Sequence, residues 1–516
     1  MVSVAMAVQP RTPPGVLELL PSEQLAFQRM LDTVRRGFER FGFLPIETPV
    51  FELTDVLLTK SGGETEKQVF FVQSTGTLDK ERQRVAQHLA QAARAGEPTA
   101  WASASGASAS GAAAAWASAS GSAAAGSAAA GAAAGREAEV AALLERPELA
   151  LRYDLTVPLA RYVAQHEAKL NFPFRRYQIQ RVYRGERPQK GRFREFYQCD
   201  IDVIGKDSLP LAYDAELPAV IHGVFAELAL GKFTIHLNNR KLLRGLLEGA
   251  GIAADKHAAV LHEVDRLGKQ ERAEIEARLV EVAGVERDAS ARLLDTLTAP
   301  ATAGETLARL RAQAGTTESF AEGLRELAAV YEGTIELGVP ESALRIDLSI
   351  ARGLDYYTGT VYETFLDDHR RIGSICSGGR YENLAGHYTK SKLPGVGISI
   401  GATRLFSQLL ELKALGALGA AVAQVCVLRV EPALGAAYAA LATELRAAGL
   451  NVEVYGGDDR LGKQVKYAVR GGVPLVAIYG ARERDAGIVR IKDLRVEQEH
   501  DVPRDQLVER VRQLLG

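Results

Sequence analysis

The stretch 174–204 constrains this chain more than any other. Two β-like runs, 177–183 and 195–204, flank a polar loop at 185–191 rich in Arg, Lys, Pro and Gly. Runs of this kind joined by a polar, glycine-bearing loop predict an antiparallel hairpin. Residues 175–194 carry Arg175, Arg176, Arg181, Arg184, Arg187, Lys190, Arg192 and Arg194, with Glu186 as the only acid. A charge run is ordinarily a solvated face. Here strand alternation sets Arg184 and Glu186 on one face and returns Phe196, Gln198, Asp200 and Asp202 together on the opposing strand. Guanidinium, carboxylate, ring and amide on one sheet surface suit a nucleotide: forks for phosphate oxygens, a ring for stacking, an acceptor for the adenine amino group.

The rest of the chain supplies the scaffold. Residues 22–41 place Leu25, Phe27, Met30, Leu31, Val34 and Phe38 near helical spacing, an amphipathic helix ending near Gly42. The segment FLPIETPVFE follows as an extended strand, and Pro45 and Pro49 argue for an edge position. Residues 101–135 hold 19 Ala, 8 Ser, 6 Gly and both tryptophans. With glycines costing about 1 kcal/mol each in a helix and no apolar stripe to dock, this tract is expected to be a looped-out insert. Residues 240–335 carry helical periods. After 413–423, strand and helix alternate to the end, predicting a compact α/β domain.

A second constellation lies at ARGLDYYTG (351–359), SGGRYENL (377–384) and GVGISIGATRLF (395–406). Its glycines let backbone approach a ligand closely, although structural glycines among core tyrosines would look the same. Arg352, between an apolar strand and a glycine, needs an anionic partner, because burying it unpaired is costly.

Together these residues resemble the class II aminoacyl-tRNA synthetases, and within them the histidyl-tRNA synthetases. The helix and strand ending at Pro49 are similar to the family's first signature, YRGERPQKGRFREFYQCDID to its second, and GVGISIGATRLF to its third; ARGLDYYTG and SGGRYENL resemble the histidine-specific signatures. The resemblance implies an α+β catalytic domain with an antiparallel sheet flanked by helices, a helical insertion module, and a C-terminal α/β anticodon-binding domain. The expected division is 1–239 and 336–412 for the catalytic domain (with the insert 100–135), 240–335 for the helical module, 413–423 for a linker, and 424–516 for the anticodon-binding domain.

It also implies roles. LRYDLT (151–156) resembles the substrate loop, in the form Tyr-Asp-Leu that one branch of the family uses where many members have Pro-Glu-Gly. Asp154, Thr156 and Gln198 would hold the α-ammonium of histidine, and Asp202, Tyr356 and Tyr357 would read the imidazole. Arg184 would contact the α-phosphate of ATP, Glu186 the adenine amino group, and Phe196 would stack on adenine; Arg192 and Arg404 would grip the γ-phosphate. Arg352 would bridge the histidine carboxylate and the α-phosphate, making Arg184 and Arg352 the catalytic pair. Arg460, Lys463, Lys466 and Arg470, three to four apart on one helix, would meet tRNA phosphates. The implied partners are tRNA(His), L-histidine, ATP with Mg²⁺ and a second copy in a homodimer, with no protein-ligated metal and no membrane.

Composition narrows the alternatives. With 62 Lys+Arg against 64 Asp+Glu, a globally basic nucleic-acid coat is excluded. Cys199, Cys376 and Cys426 are too dispersed for a zinc ribbon or a disulfide framework, and neither a signal peptide nor a membrane span is legible, so a cytoplasmic setting is expected. Two rivals remain: a histidine-binding regulatory paralogue that charges no tRNA, and a class II synthetase for another amino acid such as threonine, proline or glycine.

Overall fold

In a computed structural model of the chain, the residues described are 10–58, 68–94, 147–187, 191–267, 270–313, 317–351, 357–383, 385–413 and 421–516. The tract 101–135, Arg352 and Tyr356 lie outside them.

The amphipathic helix runs Pro21–Arg40 (α1) and buries Phe27, Met30, Val34 and Phe38, the predicted stripe. It packs over a sheet of eight strands. These are β1 (Leu44–Pro45), β5 (Phe174–Tyr183), β6 (Glu195–Ile204), β7 (Phe233–Asn239), β8 (Leu344–Ile346), β9 (Thr360–Leu366), β10 (Cys376–Tyr381) and β11 (Gly395–Gly401). Their spatial order is β1-β5-β6-β11-β10-β9-β7-β8, with β1 and β8 joined in parallel at the two edges and every internal pair antiparallel. Proline thus sits on an edge, where a missing N–H costs no ladder bond. A small sheet of β2 (Phe51–Leu53), β3 (Phe70–Val72) and β4 (Leu149–Leu151) lies beside it, in the order β2-β4-β3.

Alternation divides the large sheet into two faces. One carries Cys199, Ile201, Ile398, Ile400 and Leu237 into a core that continues through the helices over 257–336, by way of Leu294, Leu310 and Leu327. The other face is polar, and the functional residues stand on it. The C-terminal residues form a second core under a five-stranded sheet: β12 (Val425–Val427), β13 (Val452–Val454), β14 (Leu475–Ile478), β15 (Ile488–Asp493) and β16 (Gln498–Pro503). This is an antiparallel catalytic-type sheet with helices, followed by an α/β domain, the fold class read from the sequence. Cys199, Cys376 and Cys426 are buried thiols, and among the described residues no helix is long and apolar enough to cross a membrane.

Candidate active site

Register builds the site. β6 is central: Gln198, Asp200 and Asp202 face the same side, opposite Gln180, Gln178 and Arg176 of β5 and Gly401, Ser399 and Gly397 of β11. β10 then sets Ser377 against Ser399 and Gly379 against Gly397. Above this floor opens a cavity of about 380 Å³. Its walls include ten residues singled out from the sequence: Asp154, Thr156, Arg184, Glu186, Arg192, Phe196, Gln198, Asp202, Tyr357 and Arg404. They come from the loop at 151–156, the hairpin, the segment after 356 and the helix following β11.

The end of the cavity that carries the arginines is held by its own contacts. Arg184 Nε donates to the Tyr153 carbonyl at 3.0 Å, and its guanidinium lies 5.1 Å from the centroid of the Phe196 ring. That stacking orients the fork before any ligand arrives. Arg192 meets Glu186 at 3.5 Å, and Arg404 donates to the Ile372 carbonyl.

The other end is a buried carboxylate cluster. Asp202 Oδ2 pairs with the fully buried Arg176, and Asp202 Oδ1 accepts from the Tyr381 hydroxyl at 2.9 Å. Asp154 Oδ1 accepts the Val157 amide at 3.1 Å, and Gln198 Nε2 donates to Ser399 Oγ at 2.7 Å. Burial disfavours the ionised form, so Asp154 and Asp202 are each pushed up to about 6 and Asp200 to about 7, with the nearby Arg176 charge pulling all three back. A pocket lined by acids held up in this way gains most from a ligand that brings positive charge.

The run of eight bases divides on inspection of its partners. Arg175 pairs with Glu216, Arg176 with Asp202 and Arg181 with Glu195, so these three are structural, while Arg184 and Arg192 line the cavity. Their counter-ions lie on other strands and helices, outside the window over which charge was counted. Four further site residues carried no assignment from sequence: Arg176, Asp200, Tyr381 and Ser399. Asp200 was legible by alternation and Tyr381 by its place in the 377–384 stretch, whereas Arg176 and Ser399 needed the strand register. Arg152 was also missed. It is 1% exposed and ties the loop bearing Asp154 to the edge segment, through Thr48 O at 2.6 Å, and to β5, through Arg181 O at 2.9 Å.

In the C-terminal domain the predicted helix is observed as Leu461–Arg470. Arg460, Lys463, Lys466 and Arg470 are exposed, opposite the buried Gln464 and Ala468. Tyr467, 51% exposed, stands among them, and Lys463 is tethered to Asp459 at 2.7 Å.

Comparison with known proteins places these features in context. A family model described as histidyl-tRNA synthetase matches residues 127–405, and an anticodon binding domain model matches 424–514. A histidine–tRNA ligase from Xanthomonas oryzae pv. oryzae is 52% identical over 506 residues, 97% of each chain. One from Stenotrophomonas maltophilia is 51% identical over 510 residues, again 97% of each. The crystal structure of histidyl-tRNA synthetase from Nostoc sp. PCC 7120 superposes with a TM-score of 0.79 at 34% identity, covering 98% of this chain and 100% of that one.

Proposed function

The chain belongs to the histidyl-tRNA synthetase family, and we propose that the cleft on its eight-stranded sheet activates histidine with ATP before transfer to tRNA. The observation that carries this assignment of the cleft is convergence: residues expected separately from four stretches of sequence line one cavity, carboxylates at one end and guanidiniums at the other.

Asp154, Thr156 and Gln198 would take the α-ammonium, with Asp202 and Tyr357 at the imidazole. Arg184 would contact the α-phosphate. Phe196, with Arg184 over one face, would offer its other face to adenine, and Glu186 would accept from the adenine amino group. Arg192 and Arg404 would hold the γ-phosphate end. The roles of Arg352 and Tyr356 rest on their motif alone. No protein nucleophile is required: the histidine carboxylate attacks the α-phosphorus and pyrophosphate leaves, giving histidyl-adenylate; a terminal ribose hydroxyl of the tRNA then takes the acyl group and AMP leaves. Charge that grows on the α-phosphoryl oxygens would be met by the Arg184 guanidinium, already held in place, so the gain falls on the transition state. The family works with ATP and Mg²⁺. The ion is proposed to arrive on the triphosphate as its counter-charge.

ATP–pyrophosphate exchange with a panel of amino acids tests this reading. Exchange is expected with histidine and with no other member. Exchange supported by threonine, proline or glycine, or by none, would overturn it. The regulatory-paralogue reading is not favoured, since Arg184 and Arg404 line the cleft and the C-terminal domain is present.

Two partner proposals follow. Leu44 on β1 and Phe51, Leu53 and Leu149 on one face of the small sheet are large apolar side chains left exposed, which suits a homodimer built over them. The exposed bases of the C-terminal helix suit tRNA phosphates. Replacing Lys466 and Arg470 together by Ala is expected to raise the KM for tRNA and to flatten its salt dependence by roughly one unit of log–log slope for each phosphate no longer neutralised. Histidine-dependent exchange without tRNA should stay at the wild-type rate; an unchanged salt slope would remove both residues from the interface.

A further inference from the structure

We infer that Asp200 is a third carboxylate contact to the amino acid, and that the cleft holds histidine as a double cation, ammonium and imidazolium together. The inference rests on the assignment of this cleft to histidine.

Among the three acids of the cluster, the partners differ. Asp202 has one oxygen on Tyr381 and the other on Arg176, and Asp154 has one on a backbone amide. Asp200 is 2% exposed and lines the cavity; the Ser399 hydroxyl hydrogen-bonds to its carboxylate, while its Oδ1 is buried with no hydrogen-bond partner. Its neighbour Gln198 likewise keeps Oε1 buried without a partner. Leaving such oxygens unpaired is costly, so each marks a place where a donor belongs. Two spare acceptors beside two engaged carboxylates ask for a ligand rich in N–H groups.

Charge points the same way. The groups around Asp200 are Asp202 on its own strand, Arg176 on β5, Asp154 on the substrate loop, the Ser399 hydroxyl on β11 and the Tyr381 hydroxyl on β10. Arg184 on the hairpin also acts on Asp154 and is left for the anionic end of the ligands, since Glu186 is paired with Arg192, and the Cys199 and Cys376 thiols, on the core face, are kept neutral by burial. Three carboxylates against Arg176 leave two negative charges when all are ionised. The α-ammonium of an amino acid supplies one positive charge. Histidine is the amino acid whose side chain can supply the second within a ring, by taking a proton on the nitrogen that faces Asp200.

The sign of the proton exchange follows. Asp200, pushed up to about 7 by burial, is largely ionised at pH 8 in the empty cleft, and free imidazole, ordinarily near 6.5, is neutral there. Binding at pH 8 therefore takes up close to one proton per histidine. Below about pH 6 the acids enter protonated and the ring already charged, so binding releases protons instead.

Titration calorimetry of the full-length protein with L-histidine at pH 8, in buffers of different ionisation enthalpy, counts those protons. Uptake near one is expected in the wild type and near zero in Asp200→Asn, with histidine affinity falling about 10- to 100-fold as a charged hydrogen bond is lost. Nitrogen NMR of bound ¹⁵N-labelled histidine should show both ring nitrogens protonated at pH 8, and this measurement needs no variant to fold. No uptake, a neutral bound ring, or uptake that persists in Asp200→Asn would each overturn the inference. If histidine supports no exchange at all, the assignment of the cleft fails instead.

Discussion

Arg184→Ala is expected to slow histidine-dependent ATP–pyrophosphate exchange by about 100- to 1,000-fold, the scale of removing one oriented donor from a developing oxyanion. The magnitude follows from how the side chain is held. Its Nε is fixed on the Tyr153 carbonyl at 3.0 Å and its Cζ lies over the Phe196 ring, 5.1 Å from the centroid, at the wall of the cavity. A donor fixed before substrate binds costs no reorganisation as charge builds, and its loss should lower kcat and kcat/KM together. Arg184→Lys separates charge from geometry. Lysine keeps the charge but has neither the fork nor the planar face for Phe196, so it should recover only a small part of the rate. Exchange near the wild-type rate in Arg184→Ala would remove this residue from the phosphoryl site. A rise in the KM for ATP with kcat unchanged would make it a group that holds the ground state and the transition state equally.

Arg184 was legible because its signal is local: it sits next to a strand, two residues from Glu186, in a loop too polar to be core. The same local logic found the α1 stripe and put Pro45 at an edge. It failed wherever the decisive neighbour is distant in the chain. β11 inserts between β6 and β10, so 395–401 lies against 198–204 across nearly two hundred residues, and periodicity says nothing about that order. Arg176 looked like one more surface base, yet its register partner is Asp202 and both are buried. A window sum of charge cannot see such a pairing. Asp200 shows the complementary limit. Alternation placed it on the polar face, but that its carboxylate is buried with an unpartnered oxygen is a property of packing.

Gly397→Ala is the second large effect expected, and it arises where distant neighbours meet. An added Cβ would lie 2.1 Å from Asp202 Oδ1, 2.5 Å from its Cγ and 2.6 Å from the Ile201 carbonyl. The strand cannot slide aside, because Gly397 is paired on both edges, with Asp202 of β6 and Gly379 of β10. The carboxylate must therefore rotate away, parting from Arg176 and Tyr381. Leaving a buried charge without its partner costs about 3–5 kcal/mol, and overpacking adds about 1–3 kcal/mol. Denaturant unfolding should show a loss on that scale. If the variant folds, the KM for histidine should rise at least about a hundredfold, the equivalent of roughly 3 kcal/mol, while ATP binding changes little. Gly401→Ala is the control on the same strand and face. There a Cβ meets only Arg404 Cβ at 3.9 Å, an ordinary contact, and stability should hold. Equal stability of the two variants would mean that the Asp202 carboxylate is not fixed by the glycine beneath it, and that the imidazole end of the cleft is set by other contacts.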